Sequence, residues 1–214
     1  ASLALAKELA DRVGTDVLAT VWSDAATGTG AYQPSAPGTD AGGDVAPGGA
    51  TGGASGAASG AATPESVGGV PDWRALLDLL EARSGQDLTP LWREWVVRPD
   101  EAPSLDARAA ARASYGRTLA LADGWQLPRA IRDSLRSWQF DTAETLMADA
   151  RTVLAQRKAV AETAERGGVT LSATMQSLFE SGSMTEASAH AEAQREAMLA
   201  IEDAEASRSA DDDI

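Results

Sequence analysis

The chain has 214 residues, a formal net charge of −14 at pH 7, one histidine and no cysteine. The absence of cysteine excludes disulfides, thiolate metal sites and thiol nucleophiles, and a catalytic zinc site usually takes about two or three histidines. The acidic balance argues against binding nucleic acid or anionic lipid through a basic surface, and no run reaches the roughly 18 apolar residues of a transmembrane helix.

Residues 1–27 predict a pair of helices. Leu5, Leu9 and Val13 lie four apart on one helical face, and Gly14 is a suitable C-terminal stop. The second helix turns four apolar side chains inward, namely Val17, Leu18, Val21 and Trp22. Because Ala1 falls within the first helical pattern, we expect the chain to be a fragment or a processed product.

Residues 28–70 differ in composition from the rest of the chain. They hold 13 of the 20 glycines, and Ala, Ser, Thr and Pro fill most of the other positions. Such a stretch cannot bury enough apolar surface to offset the entropy of ordering it, so we predict a flexible Gly/Ala-rich insertion. A phosphate-binding role for the glycines is the alternative, but no apolar strand precedes them and no lysine accompanies them.

Residues 71–99 predict two more helices. Asp72 is a suitable N-cap for the first, whose apolar face comprises Trp73, Leu76, Leu77 and Leu80. The second is predicted to begin with Thr89 at the N-cap and Pro90 at the first helical position. Its apolar face comprises Leu91, Trp92, Trp95 and Val96.

Residues 100–206 predict a helical C-terminal extension, and residues 207–214 an acidic tail. Capping-box patterns at residues 141–144 and 183–186 open the two longest predicted helices of this part. Residues 182–214 hold nine acidic side chains against two arginines, which is typical of a solvated acidic surface.

The predicted fold class is all-α, because no segment alternates between apolar and polar residues with period two. We expect an irregular helical bundle or array of about seven to eight helices, interrupted by the long disordered insertion. Each buried tryptophan contributes on the order of 200 Å² to a core. Because most of the six lie among Leu and Val at helical spacing, we expect them in the core, not on an exposed binding platform: Trp22, Trp73, Trp92, Trp95, Trp125 and Trp138.

No complete active site is visible, and we predict no catalytic, cofactor-binding or metal-ligating residue in this chain. The HExxH, GxGxxG, GxxxxGK[ST] and GxSxG patterns are all absent. His190 could ligate a metal only together with a carboxylate such as Glu186 at i−4, and we interpret this pair as a surface contact. Tyr32 is interpreted as a loop residue, and Tyr115 as structural or half-exposed. A carboxylate-pair hydrolase stays open, but none of the many acidic pairs is favoured.

Three sequence blocks follow one another in a recognisable order. The helix pair of residues 1–21 precedes Pro-Asp-Trp-Arg-Ala-Leu-Leu-Asp-Leu-Leu at residues 71–80 and Asp-Leu-Thr-Pro-Leu-Trp-Arg-Glu-Trp-Val-Val-Arg-Pro at residues 87–99. These blocks resemble the end of the catalytic domain in gluzincin zinc aminopeptidases, the membrane alanyl aminopeptidase family. The insertion at residues 28–70 stands where members of that family have a short loop. Residues 100–206 are similar to the helical extension of large bacterial members.

The resemblance implies a non-catalytic helical segment that completes and caps the catalytic domain of a zinc metallopeptidase. Residues 1–27 and 71–99 would end and close the catalytic-type subdomain. The HExxH ligands, the glutamate ligand and the catalytic tyrosine would precede Ala1, since Tyr32 lies too far along the family order to be that tyrosine. Zinc is therefore expected only in the upstream part of a parent protein, and the upstream catalytic domain is the expected partner. The analogy favours an extracytoplasmic location.

A stand-alone acidic helical interaction module without enzymatic activity is the alternative. Its acidic C-terminal helix would dock on a basic protein partner through a salt-sensitive contact. Met198, Leu199 and Ile201 offer only a narrow apolar stripe for such a contact. We therefore rank this function second.

Overall fold

A computed structural model describes residues 2–34, 64–68, 72–167 and 172–212 of the chain. Within these ranges the helices are α1 Ser2–Val13, α2 Thr15–Thr27, α3 Trp73–Ser84, α4 Thr89–Trp95, α5 Ala102–Ala122, α6 Arg129–Arg136, α7 Phe140–Gly167, α8 Thr174–Ser181 and α9 Met184–Asp212. The all-α prediction is confirmed for the described residues, in which the one β-type pairing is an isolated antiparallel bridge between Thr29 and Ser66.

The predicted count of about seven to eight helices was too low, because the described ranges contain nine. The short helices α4, α6 and α8 are separate elements, each bounded by turns. Gly182, for example, ends α8 with φ of 89°, a left-handed backbone conformation that glycine adopts without steric cost.

The described residues fall into two compact units. The first comprises Ala1–Ala113 and Arg132–Phe140, and the second comprises Ser114–Ile131 and Asp141–Ile214. The sequence predicted a boundary after residue 99, whereas residues 100–113 group with the first unit and the division falls within α5.

The core of the first unit is built by α1 to α4 and the beginning of α5. Asp72 caps α3 as predicted, since its carboxylate accepts hydrogen bonds from the backbone N–H groups of Arg74 and Ala75. Thr89 is the first residue of α4 and not its N-cap, which is Leu88, and the Asp87 carboxylate accepts the Thr89 N–H at 2.9 Å. The buried apolar side chains are Val13, Val21, Leu77, Leu79, Leu80, Leu88, Leu91, Trp92 and Leu105.

The second unit packs the end of α5 with α7, α8 and α9. Trp125 and Phe179 contact each other with ring centroids 5.4 Å apart, and the Arg157 guanidinium lies over the Trp125 ring at 4.4 Å. Arg157 also donates a hydrogen bond to the carbonyl of Ala122, which is the last residue of α5. No described helix is both long enough and apolar enough to cross a bilayer.

The expectation that the tryptophans are core residues is wrong for two of them. Trp92 is 1% exposed, but Trp22 is 61% and Trp95 is 42% exposed. Trp22 follows the buried Val21 and projects about 100° away from it around the helix axis, so the burial of Val21 does not carry Trp22 into the core. The other three are half-buried, namely Trp73, Trp125 and Trp138.

Most of the predicted insertion, at residues 35–63 and 69–70, lies outside the described residues. Its two ends, residues 28–34 and 64–68, are described. Residues 28–34 and 64–68 are joined by the Thr29–Ser66 bridge and by a 2.7 Å hydrogen bond from the Val67 N–H to the Gly28 carbonyl. These ends therefore belong to the first unit.

Candidate functional site

The first unit contains a cluster of buried charges between α3 and α5. Asp78 and Glu81 lie three residues apart on α3, and Arg108 and Arg112 lie four apart on α5. These spacings place each pair on one helical face, so the two acidic and the two basic side chains can meet.

The four side chains form a network of ion pairs. The Arg108 guanidinium lies 2.7 Å from Asp78 Oδ1 and 2.8 Å from Glu81 Oε2. Arg112 Nη1 lies 3.2 Å from Glu81 Oε2 at the edge of the network. The Arg108, Asp78 and Glu81 side chains are at most 4% exposed. Buried charges in such numbers are tolerated only where each has a close partner.

Two aromatic residues complete the hydrogen bonds of Asp78. The Tyr32 hydroxyl donates to Asp78 Oδ1 at 3.2 Å, and the Trp138 Nε1–H donates to Asp78 Oδ2 at 3.0 Å. Both aromatic residues have a positive φ, 55° for Tyr32 and 56° for Trp138. A non-glycine residue keeps this strained conformation only where its surroundings enforce it. The two hydrogen bonds to Asp78 are part of that enforcement.

The electrostatics of the cluster follow from its burial. Burial raises the pKa of the Asp78 carboxyl above its ordinary value, and the Arg108 guanidinium opposes this effect. Burial alone would lower the pKa of Arg108, but attraction to Asp78 and Glu81 leaves it raised. Burial likewise raises the pKa of the Tyr32 phenol, and the charge of Asp78 adds to the effect. Tyr32 is therefore a protonated hydrogen-bond donor at neutral pH.

The carboxylates of the cluster are occupied by hydrogen bonds to one another's partners and to the neighbouring backbone. Asp78 Oδ1 receives donors from Tyr32 and Arg108, and Glu81 Oε1 accepts the backbone N–H of Leu88 at 2.9 Å just before α4. A carboxylate that is surrounded by donors and paired with an arginine is poorly suited to act as a nucleophile or a general base. The geometry supports a structural role that ties α3, α4 and α5 together.

A second polar site holds residues 64–68 against the first unit. The Glu65 carboxylate pairs with Arg132 and lies 2.9 Å from Arg136 Nη2. The side chains of both arginines are only 6% exposed. Arg136 also donates at 2.8 Å to the carbonyls of Ala31 and Tyr32. The hydrogen bond from Arg132 holds the pKa of Glu65 below its ordinary value, although burial acts in the opposite direction.

A cavity of about 220 Å³ adjoins this second site. Its lining includes Gly30, Val67, Ala75, Asp78 and Leu79. It therefore connects the segment that carries Glu65 to the buried Asp78.

The residues considered from the sequence do not converge on a site. His190 has a buried Nε2 without a hydrogen-bond partner among the described residues, whereas Glu186 is exposed. Tyr115 is half-buried on α5. Tyr32 lies in a loop as predicted, but its hydroxyl contacts the buried Asp78, which sequence reasoning missed. The two acids of Leu-Leu-Asp-Leu-Leu-Glu at residues 76–81 were the available signal, since they interrupt an apolar helix face.

Among the described residues, no group of three or more His, Cys, Asp or Glu side chains is arranged to hold a metal ion. Comparison of the chain with known protein families, curated proteins and solved structures finds no match.

Proposed function

We propose that this chain is a non-catalytic helical segment that completes and caps the catalytic domain of a zinc aminopeptidase-like protein. The observation that carries the proposal is the buried cluster of Asp78, Glu81 and Arg108, whose charges pair with one another. Because these groups are committed to one another, we assign them to stabilising the fold and not to catalysis. The catalytic zinc and its ligands would belong to the upstream catalytic domain.

The packing of the three resembling blocks supports this role. Val13 of α1, Val21 of α2, Leu80 of α3 and Trp92 of α4 all belong to one buried cluster. The blocks therefore form one structural subdomain, although residues 22–70 separate the first block from the second in the sequence. This arrangement fits the closing part of a larger domain.

The surface of α1 and α2 supplies the expected contact with the catalytic domain. Leu3 is 85% and Trp22 is 61% exposed. We propose that another domain covers these two exposed apolar side chains. We place the upstream catalytic domain of the same polypeptide on this surface.

The test is binding between this chain and the separately produced upstream polypeptide of the same reading frame. Trp22→Asp is expected to raise the Kd about tenfold or more, because it puts a charge into an apolar contact. Leu121→Asp is the matched control, since Leu121 is 56% exposed and lies on α5 in the second unit. Equal effects of the two substitutions, or no binding of the unmodified chain, would contradict the proposal.

One observation favours the second candidate, an acidic helical interaction module with a basic protein partner. Leu199 and Ile201 of α9 are 42% and 48% exposed, within a helix whose charged residues are mostly acidic. Such a module would bind a basic protein with an affinity that falls as salt is added. If Leu199→Asp leaves the Kd for the upstream polypeptide unchanged, the first candidate is favoured.

A further inference from the structure

Residues 64–68 lie on the first unit in the manner of a bound peptide. They are the one described stretch between Pro34 and Asp72. Their backbone makes β-type contacts to residues 28–33, through the Thr29–Ser66 bridge and the bond from the Val67 N–H to the Gly28 carbonyl. An extended peptide that adds to a neighbouring chain through backbone hydrogen bonds is a common mode of peptide recognition.

The Gln33 side chain extends these backbone contacts. Its Oε1 accepts the Glu65 N–H at 2.7 Å, and its Nε2 donates to the Glu65 carbonyl at 3.1 Å. A second bond from Nε2 to the Gly30 carbonyl, at 2.8 Å, fixes the orientation of the amide. The Gln33 amide thus pairs with both backbone groups of one residue, as a neighbouring strand would. These contacts do not depend on the side chains of the bound segment.

Selectivity comes from the side chain of Glu65. Its carboxylate lies between Arg132 and Arg136, whose guanidinium groups are almost fully buried. Planar guanidinium groups recognise a carboxylate through paired, charge-assisted hydrogen bonds. A neutral side chain at this position would leave two buried arginines without that partner.

A second selective position lies two residues further on, at Val67. Alternate residues of an extended segment face the same side, so Val67 lies on the same side as Glu65, although Val67 remains 38% exposed. Gly30 makes room for it, because a Cβ atom on Gly30 would lie only 2.3 Å from Val67 Cγ2. Val67 also lines the cavity of about 220 Å³ and leaves it unfilled. The position can accept a larger aliphatic side chain.

We propose that residues 28–33 together with Arg132 and Arg136 form a peptide-recognition groove, which residues 64–68 occupy in this conformation. The partner that fits the groove is an extended acidic peptide with a glutamate followed two residues later by an aliphatic residue. The chain's own segment competes with such a peptide. The proposal does not depend on the role given to α1 and α2.

The experiment uses the full chain with Glu65→Ala and Val67→Ala, which empties both side-chain positions and leaves the groove intact. The probe is the capped peptide Thr-Pro-Glu-Ser-Val-Gly, which repeats residues 63–68, measured by fluorescence anisotropy. We expect it to bind the double variant about tenfold or more tightly than the unmodified chain. A version with Gln in place of Glu is expected to bind about tenfold or more weakly.

Several outcomes would overturn the proposal. These are equal binding to both proteins, equal binding of the Glu and Gln peptides, and no binding by about 1 mM peptide. If the double variant loses its helical circular dichroism signal, the Glu peptide is expected to restore it, and failure to do so overturns the proposal.

A second variant tests the cavity position without emptying the groove. Val67→Leu in the otherwise unmodified chain is expected to raise Tm, because the larger side chain fills the cavity. A lower or unchanged Tm would contradict the assignment of the cavity to this position of the peptide.

Discussion

At the scale of single residues, Asp78 links parts of the first unit that lie far apart in the sequence. It pairs with Arg108 of α5, and it accepts hydrogen bonds from Tyr32 before α3 and from Trp138 after α6. Because Asp78 and its three partners are distant in sequence, this one carboxylate holds α3 to three separate parts of the first unit. The cost of burying Asp78 is offset only while Arg108 and the two aromatic donors are in place.

Asp78→Asn tests this dependence. The substitution removes the negative charge nearest Arg108, so we expect the free energy of unfolding to fall by about 3–5 kcal/mol in urea denaturation. Asp106→Asn is the control, because the Asp106 side chain pairs with Arg93 but is 72% exposed. Its expected cost is below about 1 kcal/mol. Similar losses of unfolding free energy for both variants would show that the burial of Asp78 does not increase its contribution to stability.

Glu65 gives a prediction of pH dependence. Its pKa is lower in the folded chain than the ordinary value of 4.5, chiefly because Arg132 donates to the charged form. A carboxyl with a lowered folded pKa stabilises the fold above its unfolded pKa, and this contribution is lost as pH falls through the folded pKa. Glu65→Gln should therefore be less stable than the unmodified chain at pH 7, and the difference should shrink below pH 4.5. A difference that stays constant with pH would refute the ion pair as its source.

At the scale of elements, the seven-residue helix α4 carries one buried and one exposed tryptophan. Trp92 is 1% exposed and donates a hydrogen bond from Nε1 to the Trp73 carbonyl at 3.2 Å. Trp95 on the same helix is 42% exposed. Both fit the apolar pattern of the sequence, so only the packing of the neighbouring helices distinguishes them.

Trp92→Ala and Trp95→Ala form a matched pair on α4. Trp92→Ala should lower the free energy of unfolding by about 3–5 kcal/mol, because it leaves a cavity in the core. Trp95→Ala should cost less than about 1 kcal/mol in the isolated chain. Thermal and urea denaturation of the two variants provide the measurement. A larger loss for Trp95→Ala would contradict the described packing of α4.

The helices could be predicted from the sequence because their signals are local. The Asp72 cap, the Gly182 stop and the apolar spacing of α3 each act within a few residues. The buried cluster and the Glu65 site could not be predicted in this way. Their partners are 30 residues apart for Asp78 and Arg108 and 67 apart for Glu65 and Arg132. Periodicity within one segment carries no information about such contacts.

At the scale of the whole molecule, the sequence predicted the fold class but not the division into units. The Gly-rich composition suggested an insertion from residue 28 to residue 70, yet the described ends of that stretch are held by Gln33 and Glu65. Composition indicates how much apolar surface a segment can bury. It does not reveal that a single glutamate, Glu65, is held between two arginines that are distant in sequence. The division within α5 is equally invisible, because the helical pattern runs through it without interruption.

The central proposal is that this chain is part of a zinc aminopeptidase-like protein whose catalytic residues lie upstream. The most direct measurement is the zinc content of the polypeptide translated from the reading frame that continues upstream of the Ala1 codon, determined together with its hydrolysis of an alanyl amide. We predict about one zinc ion per polypeptide, bound through an upstream HExxH sequence, and aminopeptidase activity that is lost on chelation. A longer polypeptide that binds no zinc, or a start codon directly before Ala1, would contradict the claim.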